Sequence, residues 1–173
     1  MKILFTGGGT GGHILPIIAV ARELRASYTE KDLELFCMGP EDKFGDVLLS
    51  QEGIKTFKIN AGKLRRSKAP IALLQNFFGF FFITPLGILK AFKTLFFLSP
   101  DLIFSKGGYG AMPAIVAGRM LRVPVFLHES DVIPGKANRS AEKFALEIFT
   151  SFPYTQYFPP KKILLVGNPI RKR

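Results

Sequence analysis

The stretch KILFTGGGTGGHILPIIAVARELRA, residues 2–26, runs from a short apolar segment through a glycine-rich turn into a helical repeat. Residues 2–6 suit a buried strand, and Gly7 to Gly12 interrupt it. Beyond the turn Ile14, Ile17, Ile18, Ala21 and Leu24 recur at helical spacing. A strand that feeds a helix through a glycine turn is the opening unit of a parallel α/β sheet. The alternation continues along the chain. Strands are expected at 33–38, 55–59, 102–105, 125–128 and 163–166, and helices at 41–52 and 112–121, the latter ended by Val123-Pro124. The fold expected is a Rossmann-like parallel sheet with helices on both faces.

Composition narrows the function classes. The 173 residues are 47% hydrophobic, too apolar for a disordered tail, and sufficient for one domain with a real core. Cys37 is the single cysteine, which excludes an intrachain disulfide framework and fits a reducing compartment. With His13 and His128 as the two histidines, a zinc site of ordinary ligand number is not expected, nor is a carboxylate cluster for magnesium. No cofactor is expected. Residues 1–6 lead straight into glycines, so no signal peptide is expected there. The net charge of +11 calls for an anionic partner: a phosphorylated ligand, an acidic membrane or nucleic acid.

The middle of the chain departs from the alternation. Residues 69–89 carry no charge and cluster Phe77, Phe78, Phe80, Phe81 and Phe82. Lys55, Lys58, Lys63, Arg65, Arg66 and Lys68 precede this block, Lys90 and Lys93 follow it, and no acid occurs between Glu52 and Asp101. A Phe-rich surface rimmed by cations suits an anionic lipid surface, each basic residue near it contributing about 1 kcal/mol. That reading is favoured for the segment 69–98. Two ordinary core helices, or a membrane-spanning helix interrupted by Gln75, Asn76, Gly79 and Pro85, are the alternatives. The aromatics are not interleaved with basic residues, so nucleic acid is not the expected partner.

Three loops follow strands, at the sheet edge where open α/β folds bind ligands. In the first, Gly8 and Gly9 with Gly11 and Gly12 allow backbone N–H groups to close on a phosphate or diphosphate at the start of a helix. A tight packing turn is the bland alternative. The second, beginning at Lys106, holds Gly107, Gly108 and Tyr109; the third holds His128, Glu129, Ser130, Asp131 and Asn138. Glu129 is open to reading as a cap or salt-bridge residue, and His128, ending an apolar strand, as structural. His13 beside the first loop is placed to take a proton from a hydroxyl near neutral pH, or else only to cap the helix or bind phosphate.

The motifs GGGTGGHILP (7–16), SKGGYGAMP (105–113), RVPVFLHESDVIPGKAN (122–138) and VGNPIR (166–171) together resemble the MurG family of bacterial N-acetylglucosaminyltransferases. The resemblance implies the amino-terminal half of a two-domain GT-B fold, with residues 1–165 as the acceptor-binding domain, 166–173 starting a linker and the donor domain absent. It implies inverting transfer of N-acetylglucosamine from UDP-N-acetylglucosamine to lipid I, giving lipid II in peptidoglycan synthesis, without an essential metal. It implies a peripheral position on the cytoplasmic face of the bacterial inner membrane. Carried onto this sequence, the family pattern makes His13 the general base. It makes Gly8, Gly9, Gly107, Gly108, Tyr109, Glu129 and Asn138 the acceptor site, and Thr10, Gly11, Gly12, Asp131 and Arg171 contacts of the UDP-sugar.

Two positions depart from that pattern. Ser130-Asp131 stands where the family has Gln-Asn, replacing an amide donor by a carboxylate, and Ala111 stands where a serine is common. Both are expected to bear on acceptor specificity. With the donor half absent, the chain alone is expected to have little transferase activity. A second reading makes it the non-catalytic, membrane-recruiting half of a split N-acetylglucosaminyltransferase. A third, a dinucleotide-binding module, is disfavoured because the second strand ends Phe36-Cys37-Met38-Gly39 without the acid that binds ribose.

Overall fold

A computed structural model describes residues 1–8, 11–28, 32–62, 65, 67, 69–153 and 156–170. In chain order the elements are β1 (Lys2–Gly7), α1 (Ile14–Ser27), β2 (Glu34–Gly39), α2 (Lys43–Gln51), β3 (Lys55–Lys58), α3 (Pro70–Phe78) and α4 (Thr84–Leu98). They continue with β4 (Leu102–Gly107), α5 (Met112–Met120), β5 (Val125–Glu129), α6 (Lys136–Ala141), β6 (Glu147–Thr150) and β7 (Ile163–Leu165). The strands form one seven-stranded sheet in the order β3-β2-β1-β4-β5-β6-β7, with every neighbouring pair parallel. The expected Rossmann-like sheet is therefore present, and the order reverses between β1 and β4. The carboxyl ends of those two strands are the position at which open α/β sheets bind ligands.

Strand alternation divides the core into two layers. Ile3 and Phe5 of β1 face α1 and α2, packing with Ile14, Ile17, Ile18, Leu35, Cys37 and Leu49. Leu4 faces the other way, toward Met38, Ala91, Leu95, Ile103, Ile115 and Leu127. Both faces are covered, as parallel sheets require. Asp42 accepts a hydrogen bond from Gly45 N at 3.1 Å and so starts α2 at Lys43, two residues later than the spacing suggests.

Two elements lie outside the sequence expectation. β6 is only four residues long and opens on the exposed Glu147, so its apolar content is too slight to register as a strand. It is fixed by its neighbours: Ile148 pairs with Leu127 on one side and Ile163 on the other. The six-residue α6 is likewise too short for a helical repeat to show.

The Phe-rich segment forms a helical run from Pro70 to Leu98, with a π-helical turn at Gly79–Ile83 between α3 and α4. Thr84 Oγ1 donates to Gly79 O at 2.9 Å and accepts from Gly62 N at 3.2 Å, tying this turn to the preceding loop. One stripe faces the body of the protein, formed by Ala72, Gly79, Gly87, Ala91 and Leu95. All five clustered phenylalanines are exposed, as are Ile71, Leu74, Leu89, Phe96 and Phe97. The alternative of two helices with their phenylalanines in the core is thereby corrected: small residues take the inward face because backbone lies against it. A Cβ on Gly87 would stand 1.9 Å from Asn60 O. The reading as a spanning helix meets the same obstacle, since Ala91 and Leu95 are committed to the sheet core.

The two faces of α4 are expected to respond oppositely to truncation. Leu95 is 1% exposed and Leu89 67%. Leu95→Ala should lower the unfolding free energy by about 3 kcal/mol, while Leu89→Ala should change it by less than about 0.5 kcal/mol. Urea denaturation of the two variants checks this.

Candidate functional site

Backbone closeness is what builds the site. Gly7 of β1 pairs with Gly107 of β4 after an irregularity in register at Thr6. Gly8, Gly107 and Gly108 have φ of +124°, +88° and +84°, a region costly for any residue with a Cβ. A Cβ on Gly108 would lie 2.6 Å from Gly8 O and 3.1 Å from His13 Nε2. The first and second glycine loops therefore touch through their main chains, with the His13 ring beside them. Gly12 and His13 form a short 3-10 turn with Gly11 ahead of α1, and Tyr109 opens the equivalent turn ahead of α5. Gly9, Thr10 and Arg171, three of the expected contacts, lie outside the described residues.

His13 is half-buried and makes no side-chain capping bond to α1, although it occupies the cap position. The capping alternative is thus set aside. Burial holds the imidazole below its ordinary pKa, and the Lys106 charge acts in the same direction. A hydrogen bond to the Lys106 backbone and the carboxylates of Glu129 and Asp131 oppose this. The net effect keeps the ring neutral near pH 7, the form that accepts a proton.

The third loop is organised by Glu129, at the end of β5. Its Oε1 accepts from Asp131 N at 2.9 Å, and its Oε2 from Asn138 Nδ2 at 2.9 Å and Gly135 N at 3.3 Å. Both oxygens are engaged within the loop, so this carboxylate holds the loop in shape. Asn138 Nδ2 also donates to His128 O at 3.3 Å. That fixes the amide so that Oδ1 faces Gly107, where it is buried and has no hydrogen-bond partner. Asp131 itself is exposed at the loop surface.

Ala111 is fully buried among Ile115, Leu127 and other core residues. The expectation that its missing hydroxyl bears on acceptor specificity is corrected: the position belongs to packing beneath the second loop. Lys106 carries a role the sequence reading did not assign. Its ammonium donates to His128 Nδ1 at 2.7 Å and to Ser130 Oγ, and the residue is 3% exposed. The signal available was a lysine closing an otherwise apolar strand. His128 Nε2 lies 3.0 Å from Gly167 O. A neutral ring donating from Nε2 and accepting at Nδ1 satisfies both contacts. Burial, with the Lys106 charge adding to it, pushes His128 down to a pKa of about 4. Among the described residues no group of three or more His, Cys, Asp and Glu side chains is arranged to hold a metal ion.

Protonation of His128 costs folding energy, because the unfolded chain binds that proton at its ordinary value of 6.5 and the folded one only near 4. Between those values the unfolded state holds more protons, so its contribution to stability falls as pH drops. Thermal unfolding followed between pH 7 and about 4.5 should show a declining midpoint, and His128→Gln should flatten the decline.

Comparison with known proteins accords with this architecture. Residues 3–150 match the glycosyltransferase family 28 N-terminal domain. An N-acetylglucosamine transferase of Shouchella clausii, named for action on N-acetylmuramyl-(pentapeptide) pyrophosphoryl-undecaprenol, is 40% identical over 177 residues, covering 99% of this chain and 46% of the relative. A Borrelia turicatae protein of the same name is 40% identical over 173 residues, with the same coverage. Among solved structures, Acinetobacter baumannii MurG superposes with a TM-score of 0.74 at 24% identity, covering 99% of this chain and 46% of that one. A UDP-GlcNAc 2-epimerase from Neisseria meningitidis, bound to UDP-GlcNAc, gives 0.67 at 18% identity, covering 98% and 47%. The chain thus spans about half the length of the curated relatives it matches. It belongs to the glycosyltransferase family 28 N-terminal domain family.

Proposed function

We propose that the chain is the acceptor-binding and membrane-docking part of a transferase that moves N-acetylglucosamine from UDP-N-acetylglucosamine to lipid I, forming lipid II. The observation that carries this reading is the convergence of two glycine loops on His13 at the reversal of the sheet. Main-chain N–H groups there suit the diphosphate of the acceptor. The neutral His13 imidazole takes the proton of the acceptor hydroxyl as that oxygen attacks the anomeric carbon, and UDP leaves with the bonding electrons. Asn138 Oδ1 accepts from an acceptor hydroxyl. Thr10, Gly11, Gly12, Asp131 and Arg171 are proposed contacts of the UDP-sugar, and the donor's other contacts are proposed to come from outside residues 1–173. Residues 1–165 form the acceptor domain in this reading and 166–173 begin the linker.

The lipid-bearing end of the acceptor is met by α3 and α4. Their outward face is a contiguous apolar surface, with Phe80 69% and Phe97 75% exposed, which in a protein of this size marks an interaction surface. Phe77 lies 4.6 Å from Phe81 and Phe78 4.9 Å from Phe82, ring centre to ring centre, so the exposed aromatics pack in pairs along the helix. Asn76 bonds both to Arg65 N at 2.8 Å and to Arg65 O at 2.9 Å, holding the Arg65 backbone against this helix. Lys90 and Lys93 are exposed on α4. This arrangement supports peripheral docking on anionic lipid at the cytoplasmic face of the inner membrane. Lys58 is not part of the rim, because it pairs with Asp46.

Binding to nanodiscs of anionic lipid, with and without lipid I, tests both parts. Lipid I should strengthen binding of the wild-type chain. Gly108→Val should remove that increment, about tenfold or more, while leaving attachment to plain anionic lipid; a circular dichroism melt controls for folding. Phe80→Ser with Phe81→Ser should weaken attachment to both kinds of disc by at least about tenfold. An absence of any lipid I increment in the wild type would overturn the acceptor reading.

A further inference from the structure

We propose that the Lys106 ammonium is a direct binding group for a phosphoryl oxygen of a diphosphate ligand, adding a fixed cation to the glycine cradle. The inference rests on the acceptor reading above and assigns its site a residue. An ammonium has three N–H donors. Two are engaged, by His128 Nδ1 and Ser130 Oγ, and both of those acceptors are neutral. Among the described residues no carboxylate lies within ion-pair distance of Lys106. Glu129 and Asp131 favour its charge from farther off, but the oxygens of Glu129 are spent on Asp131 N, Gly135 N and Asn138 Nδ2. A nearly buried cation is left with a spare donor and no counter-ion.

Its place in the chain gives that charge a use. Lys106 immediately precedes Gly107 and Gly108, and a Cβ on Gly7 would lie 3.4 Å from both Lys106 Cβ and His13 Cβ. The two stems flank the point where the glycine loops meet. Lys106 also answers the carboxylate of Asp131, which would otherwise repel a diphosphate at the same edge. His128, held at its far nitrogen by Gly167 O, acts as a positioning residue that aims the ammonium. Carrying a charge in this desolvated place is costly, and burial lowers the Lys106 pKa to about 8. A bound anion relieves that cost.

The test is isothermal titration of the 173-residue chain with P1,P2-dimethyl diphosphate, a diester whose two charges are constant across neutral and alkaline pH, and separately with UDP. Lys106→Met is the variant, because it keeps the length of the stem and removes the charge; its thermal melt controls for folding. At pH 7 the variant should bind the diester at least tenfold more weakly. Wild-type affinity should fall as pH rises through about 8, since the charged form is the one that binds, while the variant should be insensitive over that range. Among the described residues His13, His128, Glu129 and Asp131 are the titratable groups that interact with the ammonium, and the variant retains them all. Lys106-dependent binding of the diester, with UDP binding independent of Lys106, assigns the cation to the acceptor. Dependence confined to UDP overturns that assignment in favour of the nucleotide. Equal binding by wild type and variant overturns the role of Lys106 and leaves the backbone cradle standing. No diester binding by the wild type overturns the cradle reading, and this inference with it.

Discussion

Main chain against main chain is the constraint on which the site depends. A Cβ on Gly39 would stand 2.6 Å from Gly7 O, one on Gly108 2.6 Å from Gly8 O, and one on Gly110 2.3 Å from Pro40 Cδ. Strand ends from β1, β2 and β4 are therefore pressed together where side chains would ordinarily separate them. The close approach lies at the sheet edge, and α1 and α5 begin within a few residues of it. Backbone geometry of this kind is what the proposed anion site rests on. Side chains then surround it: His13 beside the loops, Lys106 beneath them and Asn138 Oδ1 against Gly107.

The polar groups form a chain of dependence rather than a set of independent contacts. Gly167 O receives His128, His128 receives Lys106, and Lys106 reaches Ser130. Alongside it, Glu129 holds the third loop closed onto Asn138. Each group is buried or nearly so, and removing one partner leaves another unsatisfied in a poorly solvated place. This is why the same residues set protonation. Burial lowers both His13 and His128, and the charge on Lys106 adds to that lowering in each.

Much of this was legible in the sequence, and the gaps have physical causes. Alternating apolar strands and helices gave the parallel sheet because six of its strands are long or apolar enough to register. β6 was not legible, since Glu147–Thr150 becomes a strand only through pairing with β5 and β7. Glycine loops were legible because positive φ and close approach leave no alternative residue. Lys106 was hidden for the opposite reason: a lysine at a strand end reads as solvated, and only the arrival of His128 and Ser130 from another strand and its loop encloses it. Ala111 was misread because a position two residues beyond the tyrosine sounds like part of the loop, whereas the turn at Tyr109–Ala111 rotates it into the core.

The Phe-rich helix and the glycine cradle belong to one argument. α4 packs against α5 through Gly87, where a Cβ would lie 3.3 Å from Pro113 Cγ, and α5 begins just beyond the second glycine loop. One helix thus separates the exposed phenylalanines from the second glycine loop and Lys106. An apolar tail held in a bilayer and a diphosphate held by backbone N–H groups impose different demands, desolvation on one side and directed donors on the other. A ligand that joins the two covalently can satisfy both only if the surfaces sit on the same rigid body at short range. Small residues on the inward stripe of α3 and α4 make that closeness possible. They let the helix lie directly on the body of the protein, and so leave its phenylalanines on the outward face.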